Sequence, residues 1–185
     1  MKKIVTVIVL VVMVTILFAA PFGLKKYTKK TDVIITEDGE GGSIFEVPKP
    51  HSMFETYIGN FNEAETLVRV LAVTEEFTTN NYGTTIKSKF NSIKEALDKK
   101  YGAGLHVNYL KDGSIWDEPK DFLMALSKEE YVLLSTWFPN EGDITGISLV
   151  VAIFSSNSAV LMLNYELDGW QEHINSEKAD DDSGL

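Results

Sequence analysis

The clearest periodic pattern in the chain lies between residues 84 and 101. Apolar side chains recur there at spacings of three and four positions, which is the repeat of one face of a helix. Gly102 follows where helices often end in a left-handed residue, and Thr84 or Thr85 is placed to cap the start. The pattern predicts an amphipathic helix with Phe90 and Ile93 facing a sheet, and its full apolar set is Ile86, Phe90, Ile93, Leu97 and Tyr101.

Strand-like runs surround this helix. Alternating or continuous apolar residues with β-branched and aromatic side chains predict strands, and these runs lie at 53–58, 67–74, 105–110, 131–138, 144–154 and 159–166. Turns rich in Asn, Gly, Asp and Ser separate the last three runs. Such short connections force neighbouring strands to be antiparallel, so the sequence predicts a C-terminal three-strand meander.

Two shorter helices complete the predicted elements. Pro119 favours a helix start just before the apolar residues Phe122, Leu123 and Leu126. A last short helix is predicted through Trp170 and Ile174. The predicted fold class is therefore α+β: an antiparallel sheet with helices packed on one face, preceded by one N-terminal apolar helix.

That N-terminal helix is predicted from an uncharged apolar run over residues 4–24, which follows Lys2 and Lys3. About 20 apolar residues span a bilayer core, whereas the apolar part of a signal peptide is usually shorter. The small residues Ala19 and Ala20 make a poor cleavage site because bulky residues precede them. Residues 1–30 are therefore interpreted as a signal anchor, with a cleaved signal peptide as the alternative.

The rest of the chain divides by composition. Residues 31–50 combine glycines, prolines and acids and are predicted to be a flexible acidic linker. Residues 51–174 contain the strands and helices of a single α+β domain. Residues 175–185 carry three consecutive aspartates and little apolar content, which is typical of an acidic disordered tail.

Charge is distributed unevenly. The formal net charge is −10, from 17 basic and 27 acidic residues. The first 30 residues hold six of the lysines and no acid, so the remainder carries a net charge of −16. Such a domain would repel phosphate backbones, which argues against nucleic acid as a partner. The acidity favours solubility, and a basic protein partner is the alternative interpretation.

Motifs that carry chemistry are scarce. The three histidines are far apart in sequence, there is no cysteine, and neither a Gly-x-Ser-x-Gly elbow nor a P-loop occurs. Paired acids such as Glu75 and Glu76 fall near the ends of predicted elements. We therefore predict no catalytic, cofactor-binding or metal-binding residues and no cofactor. Trp116, beside a turn and followed by acids, is the candidate interaction residue.

A set of motifs follows along the chain: Asn81-Tyr82-Gly83, the helix set above, Lys100-Tyr101-Gly102, Trp116, Pro119 and Met124-Ala125-Leu126. Together they resemble a group of small bacterial exported proteins of uncharacterised activity. The similarity spans residues 53–170 and rests on a helix bounded by two Tyr-Gly pairs, followed by a Trp-containing segment and the closing strands. The resemblance implies a bacterial envelope setting and no particular activity.

These patterns favour a non-catalytic binding or interaction domain of the bacterial cell envelope. Its N-terminal helix would contact the inner membrane and hold the domain in the periplasm, or the protein would be secreted if that segment is cleaved. The alternative is a hydrolase whose carboxylate and histidine side chains come together from distant segments.

Overall fold

The computed structural model describes residues 21–39, 41–139, 142–155 and 157–183. Within these ranges the chain is mixed α+β, with three α-helices and one sheet of nine strands whose pairings are antiparallel. This confirms the coarser part of the prediction, a mixed α+β fold built on an antiparallel sheet. The strands are β1 (Ile35–Gly39), β2 (Gly42–Phe45), β3 (Thr56–Phe61), β4 (Leu67–Val73), β5 (Phe77–Thr78), β6 (Leu105–Leu110), β7 (Tyr131–Trp137), β8 (Ile144–Ser155) and β9 (Ser158–Leu167). The helices are α1 (Thr84–Tyr101), α2 (Phe122–Ser127) and α3 (Trp170–Ser183).

The strand order is β1-β2-β3-β4-β9-β8-β7-β6, and the short β5 also pairs with β9. Consecutive pairing of β7, β8 and β9 follows from their short connections. The centre of the sheet is instead a pairing of strands distant in sequence, in which Val70 of β4 lies opposite Tyr165 of β9 and Ala72 lies opposite Leu163. These four side chains are buried, so the middle of the sheet is also the middle of the core.

Helices α1 and α2 cover one face of the sheet, called here the helical face. Ile86, Phe90, Ile93 and Leu97 of α1 are all buried, which confirms the predicted phase of the helix. In α2, the ring of Phe122 packs edge-on against Tyr131 of β7, with centroids 4.8 Å apart. The helical stripe and the inward side of the sheet thus form one apolar core.

The start of α1 differs from the prediction. Its cap is Gly83, in the left-handed conformation with φ 65°, and neither Thr84 nor Thr85 supplies a capping side chain. Instead, the Thr84 N–H donates to Asn80 Oδ1 at 3.1 Å. A Cβ on Gly83 would clash with the ring of Phe122, so glycine is what lets α2 approach α1 this closely.

Helix α3 lies on the opposite face, so the prediction that all helices share one face is wrong for it. Arg69 alternates with the core residue Val70 along β4 and therefore points to the other side. Its guanidinium sits 5.0 Å from the ring centroid of Trp170 at the start of α3, a cation–π contact. Anchored there, the helix continues to Ser183, where the acidic composition had predicted a disordered tail.

Residues 31–50 also differ from the predicted linker. They contain β1 and β2, which form a hairpin whose second strand pairs with β3 through Ser43 opposite Gly59. Gly42, with φ 124°, belongs to this hairpin, and a Cβ there would lie 2.9 Å from the Gly59 carbonyl oxygen. The glycines that suggested a flexible tether therefore serve a tight turn and a close backbone approach.

The segment just before β1 is packed as well. Pro21 and Leu24 are buried. Of the lysines that follow, Lys26 pairs with Asp168 at 3.2 Å, Lys30 pairs with Asp38 at 2.9 Å, and Lys29 Nζ donates to Ala64 O and Thr66 Oγ1. These three lysines are thus held by the domain. Most of the predicted apolar helix, residues 1–20, lies outside the described residues. In the part of the chain that the structure covers, no helix has the length and apolar character needed to cross a bilayer.

Candidate ligand pocket

A cavity of about 460 Å³ opens on the helical face between α1 and two segments that precede β3. We call it the α1 pocket. Its floor is Leu163 and Tyr165 of β9. One wall belongs to α1 and the other to residues 22–23 and 49–54. The wall residues are Ser92, Ile93, Ala96, Leu97 and Lys100 on α1, and Phe22, Gly23, Lys49, Pro50, His51, Met53 and Phe54 opposite.

Spacing along α1 creates the helical wall. Ser92, Ala96 and Lys100 are four residues apart, so they align in one row along the side of the helix that borders the cavity. The first two side chains are small and leave space beside the buried Ile93 and Leu97. Lys100 ends the row in the last turn of α1. A helix of this register therefore presents an apolar groove with a cation at one end.

Phe22 organises the opposite wall. Its ring packs edge-on against Tyr57 at 4.8 Å, Tyr165 at 5.5 Å and Phe54 at 6.0 Å between centroids. The Lys49 N–H donates to the Phe22 carbonyl oxygen at 2.9 Å and ties the two segments together. Aromatic edge-to-face packing of this kind fixes a wall that contains neither an α-helix nor a strand.

Gly23 allows these two segments to meet. It has φ 77°, and a Cβ at this position would lie 2.8 Å from Lys49 Cγ. The glycine therefore supplies both the left-handed backbone and the space that the Lys49 side chain occupies. The position of the Lys49 side chain at the pocket depends on this missing methyl group.

His51 stabilises the same wall through hydrogen bonds. Its backbone N–H donates to Tyr57 Oη at 2.8 Å, and its imidazole Nδ1 accepts from the Met53 N–H at 3.2 Å. The Phe54 N–H donates to the His51 carbonyl oxygen at 2.9 Å and closes a turn. These bonds hold the imidazole at the pocket edge, where its ring centroid is 5.6 Å from that of Phe54.

Two tyrosines meet at the floor. Tyr165 is buried, and burial raises the pKa of its phenol, so the group stays neutral through the physiological range. The ring of Tyr101 lies 6.5 Å from that of Tyr165 between centroids. Among the described residues, the buried Tyr101 hydroxyl finds no hydrogen-bond partner. The inner end of the site is therefore apolar surface with the neutral phenol of Tyr165 beside it.

The charges around the pocket have one sign. Its ionisable lining groups are Lys49, Lys100, His51 and the neutral Tyr165, and no aspartate or glutamate is among the described lining residues. The rest of the domain is acidic, because all 27 acidic residues of the chain follow residue 30. The α1 pocket is an electropositive opening on an acidic protein.

The described lining residues do not form a serine–histidine–acid arrangement. Ser92 and His51 both line it, but no described hydrogen bond joins them, and no carboxylate is placed to orient the imidazole. The other histidines lie elsewhere. His106 Nδ1 is 2.9 Å from Oγ of the fully buried Ser135. His173 contacts Glu177 at 3.4 Å, one turn further along α3. Over the described ranges, no three His, Asp or Glu side chains cluster to hold a metal ion.

Trp116, the residue singled out from the sequence, lies at a different place. It is half-buried in the loop before α2, and its N–H donates to Ser114 Oγ at 3.1 Å. It borders a smaller cavity of about 120 Å³ that shares no lining residue with the α1 pocket. The role of Trp116 as an interaction residue stays a prediction.

Sequence reasoning missed every residue of the α1 pocket as a site residue. The row of Ser92, Ala96 and Lys100 was the available signal, because small residues at helical spacing mark a groove. The opposite wall gave no signal in the sequence, because residues 22–23 fell in the predicted anchor and residue 49 fell in the predicted linker. Comparison with known proteins adds no further residues: no protein-family model, curated protein or solved structure matches this chain.

Proposed function

We propose that this protein is a non-catalytic binding domain of the bacterial cell envelope that holds a small ligand in the α1 pocket. The observation that carries the proposal is the pocket itself. Its volume of about 460 Å³ falls in the range of about 300–1,000 Å³ typical of ligand sites. Its lining is mainly apolar with a few convergent polar groups, which is the usual composition of such sites.

The same proposal includes the N-terminal apolar helix and its membrane contact. Because Pro21 to Leu24 pack within the domain, the apolar residues left for a span are 4–20, about 17, the lower end of the spanning range. No linker then separates the anchor from the domain. Phe22 and Gly23 of the pocket wall follow the span directly, so the α1 pocket would open close to the membrane surface. Cleavage of the segment would instead release the domain.

The proposed function is tested by filling the groove. Ala96 is exposed and lies in the middle of the helical row, so Ala96→Trp should occupy the pocket without removing core packing. Ser88→Trp is the matched control, because Ser88 is exposed on the same helix and lies outside the pocket lining. The full-length protein and both variants would be purified from membranes and their bound small molecules identified by native mass spectrometry.

We expect a small molecule to remain bound to the wild type and to Ser88→Trp and to be lost from Ala96→Trp. Equal thermal stability of the two variants would show that the loss comes from the filled pocket. The proposal fails if the wild type carries no small molecule and gains none on incubation with an extract of membrane lipids. It also fails if Ala96→Trp retains the molecule as well as the wild type does.

A further inference from the structure

We propose that the α1 pocket binds a single-chain amphiphile with an anionic head, whose hydrocarbon tail lies along the apolar floor and whose carboxylate or phosphate sits between Lys49 and Lys100. This inference rests on the proposed function, since it names the ligand class of the same site. It goes further by assigning the two ends of the ligand to different parts of the pocket.

The two lysines indicate where the anionic head group of the ligand binds. Lys49 lies on one wall and Lys100 on the other, so each wall of the cavity contributes one cationic residue. Neither forms a salt bridge within the described residues, whereas Lys26, Lys30, Lys94 and Lys120 each pair with an acid. The described contact of the Lys100 ammonium is the Tyr101 ring, 4.7 Å away at the centroid. Two cationic side chains and no acid among the described lining residues favour an anion.

The apolar lining indicates where the hydrocarbon tail of the ligand lies. Phe22, Met53 and Phe54 face Ile93 and Leu97 across the cavity, and Leu163 closes the floor. No described charge lies among these side chains. A hydrocarbon chain gains about fourfold in affinity for each buried methylene. A cavity of about 460 Å³ with aromatic and aliphatic walls suits the hydrocarbon tail of a single-chain amphiphile.

The proposed membrane contact supplies a source for such a molecule. If residues 4–20 span the bilayer, the wall residues Phe22 and Gly23 lie beside the headgroup region. Fatty acids and single-chain phosphate amphiphiles both occur at such a surface and share the chemistry that the pocket requires. The head group alone separates these two sources, and the experiment compares them directly.

The test uses the full-length protein in phosphatidylcholine nanodiscs, with empty nanodiscs to subtract partition into lipid. Isothermal titration would compare decanoate, decyl phosphate, decanol and decyltrimethylammonium, which share a tail and differ in the head. We expect the two anions to bind on the order of tenfold more tightly than decanol, and the cation to bind most weakly. Lengthening the tail from octanoate to decanoate should tighten binding by about fourfold per methylene.

Substitutions locate the head group. Lys49→Gln and Lys100→Gln should each weaken the binding of the anions by about threefold to tenfold and leave decanol unchanged. Lys99→Gln is the matched control, because Lys99 is an exposed neighbour that does not line the pocket. A preference between decanoate and decyl phosphate that disappears in the double variant would identify which anionic source the lysines select.

Two outcomes separate this inference from the proposed function. If decanol binds as tightly as decanoate and the lysine substitutions change neither, the anionic assignment is wrong while the pocket remains a ligand site. If none of the four amphiphiles binds above the blank, the assignment of an amphiphile is overturned, and the molecule retained by the wild type in the earlier experiment decides the proposed function.

Discussion

At the scale of single residues, Asp98 shows how one side chain joins three parts of the fold. Its carboxylate accepts hydrogen bonds from Lys94 Nζ at 2.6 Å, Trp137 Nε1 at 2.9 Å and the Gly104 N–H at 3.1 Å. Together these donors, with Lys94 the largest contributor, lower the pKa of Asp98 to about 2. The last turns of α1 are thereby fixed to β7 and to the loop before β6.

The depressed pKa of Asp98 predicts a pH dependence of stability. Because the carboxyl titrates near pH 4 in the unfolded chain, its contribution is complete above that pH and is lost as the pH falls through about 2. Asp98→Asn should lower the free energy of unfolding by about 1–2 kcal/mol at pH 7, since three donors lose a charged acceptor. Urea unfolding at pH 7 and at pH 2.5 would measure both values.

The difference between wild type and Asp98→Asn should shrink at the lower pH, because the wild-type carboxyl is then partly protonated. Asp112→Asn, at an exposed turn, is the control and should behave as the wild type does. A difference that stays constant between the two pH values would show that the charge on Asp98 contributes nothing to folding.

At the scale of elements, α1 was predictable and its surroundings were only partly so. Its spacing of apolar residues depends on local geometry, which is why both its bounds and its buried face agree with the prediction. The strands rich in β-branched residues, such as β4 and β8, were predictable for the same reason. The short β1 and β2 were missed because their stability comes from pairing with β3, and no local pattern records that contact.

The α1 pocket depends on the same kind of distant contact. A wall made of residues 22–23 and 49–54 exists only after β3, β9 and α1 have come together. The sequence marks the groove on the helix through Ser92 and Ala96 but does not indicate what faces it. The cap of α1 illustrates the same limit, since Gly83 is required by the ring of Phe122, which lies far along the chain.

Packing of α1 gives a prediction at this scale. Phe90 is fully buried against the sheet, so Phe90→Ala should lower the free energy of unfolding by about 3–5 kcal/mol through lost burial and a new cavity. Lys99→Ala, on the exposed side, should change it by less than about 0.5 kcal/mol. Denaturant unfolding of both variants would measure this contrast. Similar small losses at both positions would contradict the assigned face of the helix.

Lys87 and Lys94 are less suitable controls for that experiment. The Lys87 ammonium lies 3.8 Å from the centroid of the Phe122 ring, and Lys94 pairs with Asp98 at 2.6 Å. Both side chains make contacts that their polar character did not indicate in the sequence. Substitution of either would remove an interaction in addition to shortening a side chain.

At the scale of the whole molecule, the proposed anchor and the acidic domain make different predictions about membranes. A domain with a net charge of −16 after residue 30 has no attraction to anionic lipid. In the proposed arrangement, stable association with membranes comes from residues 4–20. A basic protein partner remains a separate proposal for the acidic surface.

We predict that the full-length protein sediments with membranes and stays there in high salt, because burial of an apolar helix is insensitive to ionic strength. Detergent should release it. In the proposed orientation, protease added outside the inner membrane should remove the domain. Fractionation and immunoblotting would measure both, with a peripheral membrane protein as the control. Release by salt alone would contradict an anchoring role for the N-terminal segment.

The position of β9 has a consequence for the order of assembly during synthesis. β9 is the last strand along the described chain, yet it lies between β4 and β8, and Thr74 Oγ1 accepts from the Leu161 N–H across 87 residues. Until residues 158–167 emerge, the strands before it can form only two separate sheets, each with an unpaired edge. Such edges recruit other strands, and distant pairings form slowly. A chaperone that shields β4 and β8 would therefore have to stay bound until β9 has been synthesised.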